Sequence, residues 1–500
     1  MHNPLFSGTI LLTVAGLITR FIGFFYRIFL SNALGARLLG IYQLIFPVYG
    51  ICYTLFASGL QTAISKKVAE YHNSSEPGQC IRYLKNGILL SVSIALSLGA
   101  ALYCFSDRIA ISFLNEAECT DSLRVLALAF PFCGVTACIN GYCYGIRKSF
   151  LPASSQLTEQ IVRVLVLYLI AGIAPVSCEL AILALVAGEI ASCLYSIFGV
   201  SLIRQRLPRL TSHRFPESHI LHALLSFSAP LTANRLFISL LHSFESFLIP
   251  LTLQKYGMEH DEALRIFGII SGMTMSFLMF PGTLTNSLSV LLLPAVSEAQ
   301  AAGQQKRLEK SIAVSIKYSI LLGIFSGFYF FYFGPTLGTS VFGEVLAGTY
   351  LACLSFLCPF LYLATTLSSI LNGFSQMNLT FLSSVLGLSL RLVLFAVLIP
   401  RHSVYGYFIS LLISQLFLTF FDCFLVRRFA RFPFSATDCI VKPALIMLGC
   451  TTFFHSIYRF LLPLTSLPAL LLLAIVSIAL ALTALVLFFI TGVCKRDELP

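Results

Sequence analysis

The stretch TILLTVAGLITRFIGFFYRIFLS, Thr9 to Ser31, is long and apolar enough to cross a bilayer, yet it carries Arg20 and Arg27. At about 100° per residue, Thr9, Thr13, Gly16, Arg20, Gly23, Arg27 and Ser31 share a sector roughly 80° wide. One face of this helix is therefore small, polar and cationic, and the rest is Leu, Ile, Phe and Val. An arginine at the bilayer centre costs roughly 2.5 to 3.5 kcal/mol on insertion scales, so this face is expected to look into protein or a wet cavity, away from lipid.

The whole chain follows the same pattern. Of 500 residues, 57% are hydrophobic and 11% charged, with a mean hydropathy of +0.89, too few charges to coat a soluble surface of this size. Spans need about 20 apolar residues. Segments of that length, separated by short polar breaks, are centred near residues 20, 52, 96, 134, 163, 191, 237, 279, 322, 358, 390, 414, 450 and 480. The expected fold is an all-α polytopic membrane protein of about fourteen transmembrane helices.

With the N-terminus placed in the cytoplasm, inward breaks hold twenty of the 32 Lys and Arg, outward breaks seven, and spans five. This bias predicts both termini in the cytoplasm. It also accounts for most of the net charge of +11, because the cations are scattered over short loops and do not form the single basic face that nucleic acid requires. The first apolar segment lacks the basic start and small-residue exit of a cleavable signal. The fifteen cysteines lie mostly singly in apolar spans and read as small core residues. No phosphate-binding glycine loop, metal-ligand cluster or nucleophile motif is present, so no cofactor, metal or internal ATP drive is expected.

An internal repeat organises the chain. Gly40, Ile41, Val68, Glu70, Pro131, Gly145 and Arg163 recur as Gly268, Ile269, Val296, Glu298, Pro359, Gly373 and Arg391, each at an offset of 228. Nearer the start the offset is 215, where Thr13, Arg20, Arg27 and Ser31 meet Ser228, Arg235, His242 and Ser246, and the difference fits in the longer loop around Tyr256 to Glu262. Six spans separate partners, an even number, so the copies are parallel and related by an axis along the membrane normal. The expected units are six-helix bundles over 1–215 and 216–437 around a central cavity, with two further helices over 438–500. The basic break Arg204 to His219 is the expected linker. Prolines fall inside spans at Pro47, Pro131, Pro230, Pro281 and Pro359, and the matched pair Pro131 and Pro359 reads as either static shaping or a hinge.

The run from Ser7 to Gly50, SGTILLTVAGLITRFIGFFYRIFLSNALGARLLGIYQLIFPVYG, followed by ASGLQTAISKKVAEY from Ala57 to Tyr71, resembles the stage V sporulation protein B group of polysaccharide-biosynthesis proteins. That group belongs to the multidrug, oligosaccharidyl-lipid and polysaccharide exporter superfamily. More distantly, TRFIGF at Thr19 to Phe24 and AEY at Ala69 to Tyr71 look like segments of MurJ-type lipid II flippases. The resemblance implies two six-helix bundles plus two C-terminal helices, and export of undecaprenyl-pyrophosphate-linked sugars or peptidoglycan precursor, in spore cortex or cell-envelope synthesis. It also implies that Arg20 lines the cavity, with Arg27 one place from a second family arginine.

The residues themselves point the same way. Arg20 with Arg235, and Arg163 with Arg391, are repeat-matched, so an axis would gather them around one site together with Arg27. Guanidinium forks stay charged and bind pyrophosphate oxygens bidentately. The alternative is that these arginines are internal ties between helices. Glu159 stands four residues before Arg163, the spacing of a local ion pair. Glu245, three residues after His242, either titrates during transport or neutralises Arg235 or Arg27, and Glu189 is a further candidate for ion coupling or charge balance. The expected activity is a plasma-membrane flippase working by alternating access on a lipid-linked glycan or peptidoglycan precursor, in contact with membrane lipid and with cell-envelope synthesis proteins as partners. One alternative is a multidrug and cation antiporter, which would favour an acidic or neutral cavity. Another is a polytopic glycosyltransferase or polymerase on the same carrier, for which Glu116, Glu118 and Asp121 are the nearest outward acids.

Overall fold

The computed structural model describes residues 4–73, 77–205, 217–430, 432, 434–465 and 467–494. Most of the expected linker, 206–216, and the basic C-terminal residues from 495 onward lie outside the described residues. Every regular element among the described residues is helical. Lipid explains why: with no water to bond free N–H and C=O groups, a helix satisfies its backbone within itself.

By contacts the chain divides into two units. One comprises residues up to 254 together with 258–268, and the other 255–257 together with 269 onward. In the first, α1 (Pro4–Tyr53) passes through a π-turn at Thr54–Ser58 into α2 (Gly59–Asn73). There follow α3 (Pro77–Arg108), α4 (Cys119–Ala127), α5 (Phe130–Gly145), α6 (Phe150–Ala171), α7 (Cys178–Gln205), α8 (Glu217–Tyr256) and α9 (His260–Gly268). The second contains α10 (Met275–Met279), α11 (Gly282–Ala301), α12 (Gln305–Phe342), α13 (Val345–Leu354), α14 (Cys358–Gly373), α15 (Met377–Phe429), α16 (Lys442–Leu461) and α17 (Ala469–Ile490).

Among the described residues, ten helical runs are long and apolar enough to cross a membrane, or eleven if α4 and α5, bent by 46°, form one span. All fourteen expected centres lie in helices, but the count of fourteen is not reached by length and apolarity. Two runs, Leu12–His72 and Met377–Phe429, are 61 and 53 residues long and each contains two expected centres. Each is broken once by a non-helical residue, Gly35 (φ 74°, ψ 171°) or Ser403 (φ 54°, ψ −136°). Glycine adopts positive φ without a Cβ clash, which explains Gly35. The helix over the expected fifth span, α6, is outside the ten and carries Glu159 and Arg163 in its middle.

Matched residues repeat their contacts. A Cβ on Gly145 would lie 2.7 Å from Val68 Cβ, and in the other unit a Cβ on Gly373 would lie 2.8 Å from Val296 Cβ. Pro131 and Pro359 both sit in the first turn of a helix, α5 and α14. There the missing N–H costs no hydrogen bond, so both start helices and neither kinks one from within. Pro281 is likewise an N-cap, whereas Pro47 and Pro230 are inside helices as expected.

The tightest crossing in the first unit joins α1 to α9. A Cβ on Gly40 would fall 2.2 Å from the Leu264 carbonyl oxygen, and one on Gly268 2.0 Å from that of Ala36. Beside it, Arg37 donates two bonds to Glu118, at 2.8 and 3.1 Å, and one to Asp261 at 2.9 Å. Gly40→Ala and Gly268→Ala are each expected to destabilise the protein by about 1–3 kcal/mol, the usual cost of overpacking. Gly449→Ala, whose Cβ would meet nothing within 4 Å, is the control. Thermal unfolding in detergent by intrinsic tyrosine fluorescence checks this, and equal midpoints for all three variants would contradict it.

Candidate functional site

The first helix exposes two different faces. Val14, Ile18, Phe21 and Phe25, between 43% and 62% exposed, form an apolar one. Arg20 and Arg27, also exposed, lie roughly 145° around the helix from it. Ala15, Tyr26 and Leu30 are buried between the two. A lipid-facing surface accounts for the apolar face, and the cationic face requires water or an anion. Small residues keep that face open: a Cβ on Gly16 would meet nothing within 4 Å, and one on Gly23 only Gln160 Oε1 at 3.9 Å. Ser31, at the end of the stripe, is buried and donates to the Ile28 carbonyl at 2.8 Å. The side chain of Thr9 lies outside the described residues.

Arg235 belongs to the same unit. Its helix, α8, runs along the second half of α1 and the start of α2, with Ser243 Oγ donating to the Pro47 carbonyl at 3.3 Å. Eight residues earlier, Arg235 Nη1 donates to the Ser58 carbonyl at 2.6 Å, at the end of the π-turn. Such turns disturb the regular ladder and free carbonyls for other donors. Arg235 is exposed apart from this contact. His242 Nδ1 lies 3.4 Å from Glu245 Oε2, so these two are paired with each other, His242 exposed and Glu245 largely buried.

Arg163 is placed differently. Its guanidinium bonds the Glu159 carboxylate one turn earlier, and both side chains are largely buried, which makes it the local ion pair that the spacing allowed. In the other unit, Arg391 donates from Nε to Ser414 Oγ at 3.0 Å and from Nη2 to Gln415 Oε1 at 3.2 Å, tying the two segments of α15 across the Ser403 break. These two arginines act as internal ties in the conformation seen, while the side chains of Arg20, Arg27 and Arg235 are exposed.

Glu189 lies in a cavity of about 240 Å³ inside the first unit, lined also by Tyr49, Cys133, Asn140, Glu159 and Ser192. Close packing of α6 on α7 sets the two carboxylates side by side, since a Cβ on Gly188 would be 2.8 Å from the Glu159 carbonyl oxygen. Glu189 Oε1 accepts the Tyr49 hydroxyl at 3.2 Å. Tyr49, Cys133 and Asn140 are neutral residues of ordinary helices, and no spacing in the sequence marks them. The acids expected to face outward are engaged as well: Glu118 with Arg37, Asp121 with Arg124 at 3.1 Å, and Glu116 with His260 at 2.8 Å.

Comparison with known proteins agrees with this architecture. The family model described as polysaccharide biosynthesis protein matches residues 5–300. Stage V sporulation protein B of Bacillus subtilis (strain 168) is 26% identical over 407 residues, covering 79% of this chain and 78% of that protein. The lipid II flippase MurJ of the same organism is 21% identical over 482 residues, covering 90% and 86%. Among solved structures, lipid II flippase MurJ in an inward closed conformation superposes with a TM-score of 0.69 at 14% identity, covering 97% of this chain and 100% of that one. An inward-facing multidrug resistance transporter of the MATE family, in the MOP superfamily, gives 0.65 at 14% identity, covering 84% and 97%. At these identities the structural likeness concerns the fold.

Removing the partner of a buried charge costs about 3–5 kcal/mol. Glu159→Gln is therefore expected to lower stability by that order, and Glu159→Gln/Arg163→Gln to recover part of the loss. Unfolding midpoints of the two variants decide it; equal losses in both would show that the pair is not a unit.

Proposed function

Because the chain belongs to the polysaccharide biosynthesis protein family, we propose that it is a flippase that carries an undecaprenyl-pyrophosphate-linked glycan or peptidoglycan precursor across the plasma membrane. The observation that carries this reading is the open cationic face of α1, distinct from its apolar face. Arg20, Arg27 and Arg235 hold the pyrophosphate, because planar, permanently charged forks match its oxygens. The polyprenyl tail stays in lipid while the head group crosses. Arg163 and Arg391 hold partners within α6 and α15 and are recruited only if these partners release them. Relatives named as a sporulation protein and as a lipid II flippase support this class of substrate.

Transport proceeds by alternating access of two parallel six-helix repeats, with the helices beyond 438 added outside the repeat. The lysine and arginine bias supports cytoplasmic termini at both ends. An inside-negative potential favours outward movement of the diphosphate by about 2.3 kcal/mol per charge per 100 mV. A cationic-drug antiporter fits poorly, because the open face of α1 repels such substrates.

The test is outer-leaflet exposure of carrier-linked precursors in cells depleted of the protein and rescued with variants. Arg20→Ala and Arg235→Ala are each expected to lower exposure at least tenfold. Full activity of the Arg20→Ala/Arg235→Ala double variant, or unchanged exposure of every candidate precursor on depletion, would refute the proposal.

A further inference from the structure

Two amides stand beside the cationic face of α1. Helix α6 packs along α1, with the Phe29 and Tyr168 rings 6.1 Å apart, and Gln160 Oε1 lies 3.9 Å from where a Cβ on Gly23 would be. Gly23 falls between the two arginines of that face, about 4.5 Å along the helix axis from Arg20 and about 6 Å from Arg27. One turn before the half-buried Gln160 is Gln156, which is exposed. The pair lies roughly 160° around α6 from the exposed apolar residues Ile161, Leu165 and Leu169.

Neither glutamine forms a hydrogen bond with a described residue. Amides in membrane helices more often tie one segment to another, as Gln415 does when its Oε1 accepts from Arg391. An amide left unbonded away from water is costly, so these two require water or a ligand. Their chemistry narrows the ligand. An amide end presents an acceptor oxygen beside an N–H donor, so it pairs fully only with a group that both donates and accepts. Phosphate oxygens only accept, and the guanidinium groups already suit them. The part of a lipid-linked glycan that adjoins the diphosphate and both donates and accepts is its first sugar.

We infer that Gln160 and Gln156 read the sugar attached to the diphosphate, hydrogen-bonding its hydroxyl and acetamido groups while the arginines hold the phosphates. This rests on the reading of the chain as a carrier of a lipid-linked diphosphate, and it adds the contact that sets specificity. The two amides distinguish a glycosylated carrier from the bare one, which offers the arginines the same diphosphate but leaves both glutamines without a partner.

The experiment titrates purified full-length protein in detergent with bare undecaprenyl pyrophosphate, and with the same carrier bearing N-acetylglucosamine or N-acetylmuramoyl pentapeptide. Dissociation constants are read by thermophoresis. The unmodified protein is expected to bind at least one glycosylated carrier about twentyfold tighter than the bare one, the worth of two neutral hydrogen bonds. Gln160→Ala and Gln156→Ala are each expected to cut that ratio about fivefold, with affinity for the bare carrier unchanged, which also reports that the variants are folded. Leu165→Ala, on the apolar face of the same helix, keeps the ratio. Arg20→Ala weakens bare and glycosylated carriers alike. An unchanged ratio in Gln156→Ala/Gln160→Ala, with Arg20→Ala still weakening both ligands, would overturn this inference and leave the diphosphate site standing. Equal binding of the bare carrier and both glycosylated ones by the unmodified protein would do the same. Binding of no carrier at all would overturn both.

Discussion

Charge in an apolar span has to be met, and five arginines inside spans make that the constraint on which this fold turns. The structure meets it in three ways. Arg163 takes a carboxylate one turn away on its own helix. Arg391 takes a hydroxyl and an amide from the second segment of its own broken helix. Arg235 takes a backbone carbonyl that a π-turn makes available. Arg20 forms no ion pair or hydrogen bond with a described residue, and it sits on a face cleared of bulk by Gly16 and Gly23. The same chemistry thus sorts the arginines that have partners from Arg20, whose charge no described residue meets.

A helix that presents such a charge needs a fixed anchor. The α1–α9 crossing provides one, because two glycines let backbones approach to distances that any side chain would prevent. Gly40 and Gly268 are themselves matched at the offset of 228 in the sequence. The ion pairs of Arg37 with Glu118 and Asp261 lie at the same end and are partly exposed, so they add orientation and little stability. Glu118 and Asp261 are thereby occupied.

Features that depend on a helix read alone were visible in the sequence. The span centres, the cationic stripe and the Glu159–Arg163 pair all follow from periodicity, and each spans at most a few turns. The repeat was visible because identical residues recur at one offset. What depends on several helices was not. The partners of Arg391 lie across the Ser403 break, at positions where serine and glutamine carry no marked pattern. The cavity around Glu189 draws on four helices, and Asn140 in its lining is marked only by a buried amide oxygen with no hydrogen-bond partner among the described residues. The position of Pro131 at a helix start was not legible either, because an apolar run continuous in sequence conceals the short break at Leu128 and Ala129 after which α5 begins.

The sequence repeat is uneven in its chemistry. Arg163 and Arg391 correspond, but at the offset of 228 the places of Glu159 and Glu189 are taken by Gly387 and Phe417. The carboxylates belong to the first copy alone, in the same unit as the cationic face. Arg27 lies within electrostatic range of Arg163, Arg163 bonds Glu159, and Glu159 lines the same cavity as Glu189. The buried carboxylates and the cationic face of α1 are therefore linked through Arg163, and any change in the Glu159–Arg163 pair is felt at Arg27.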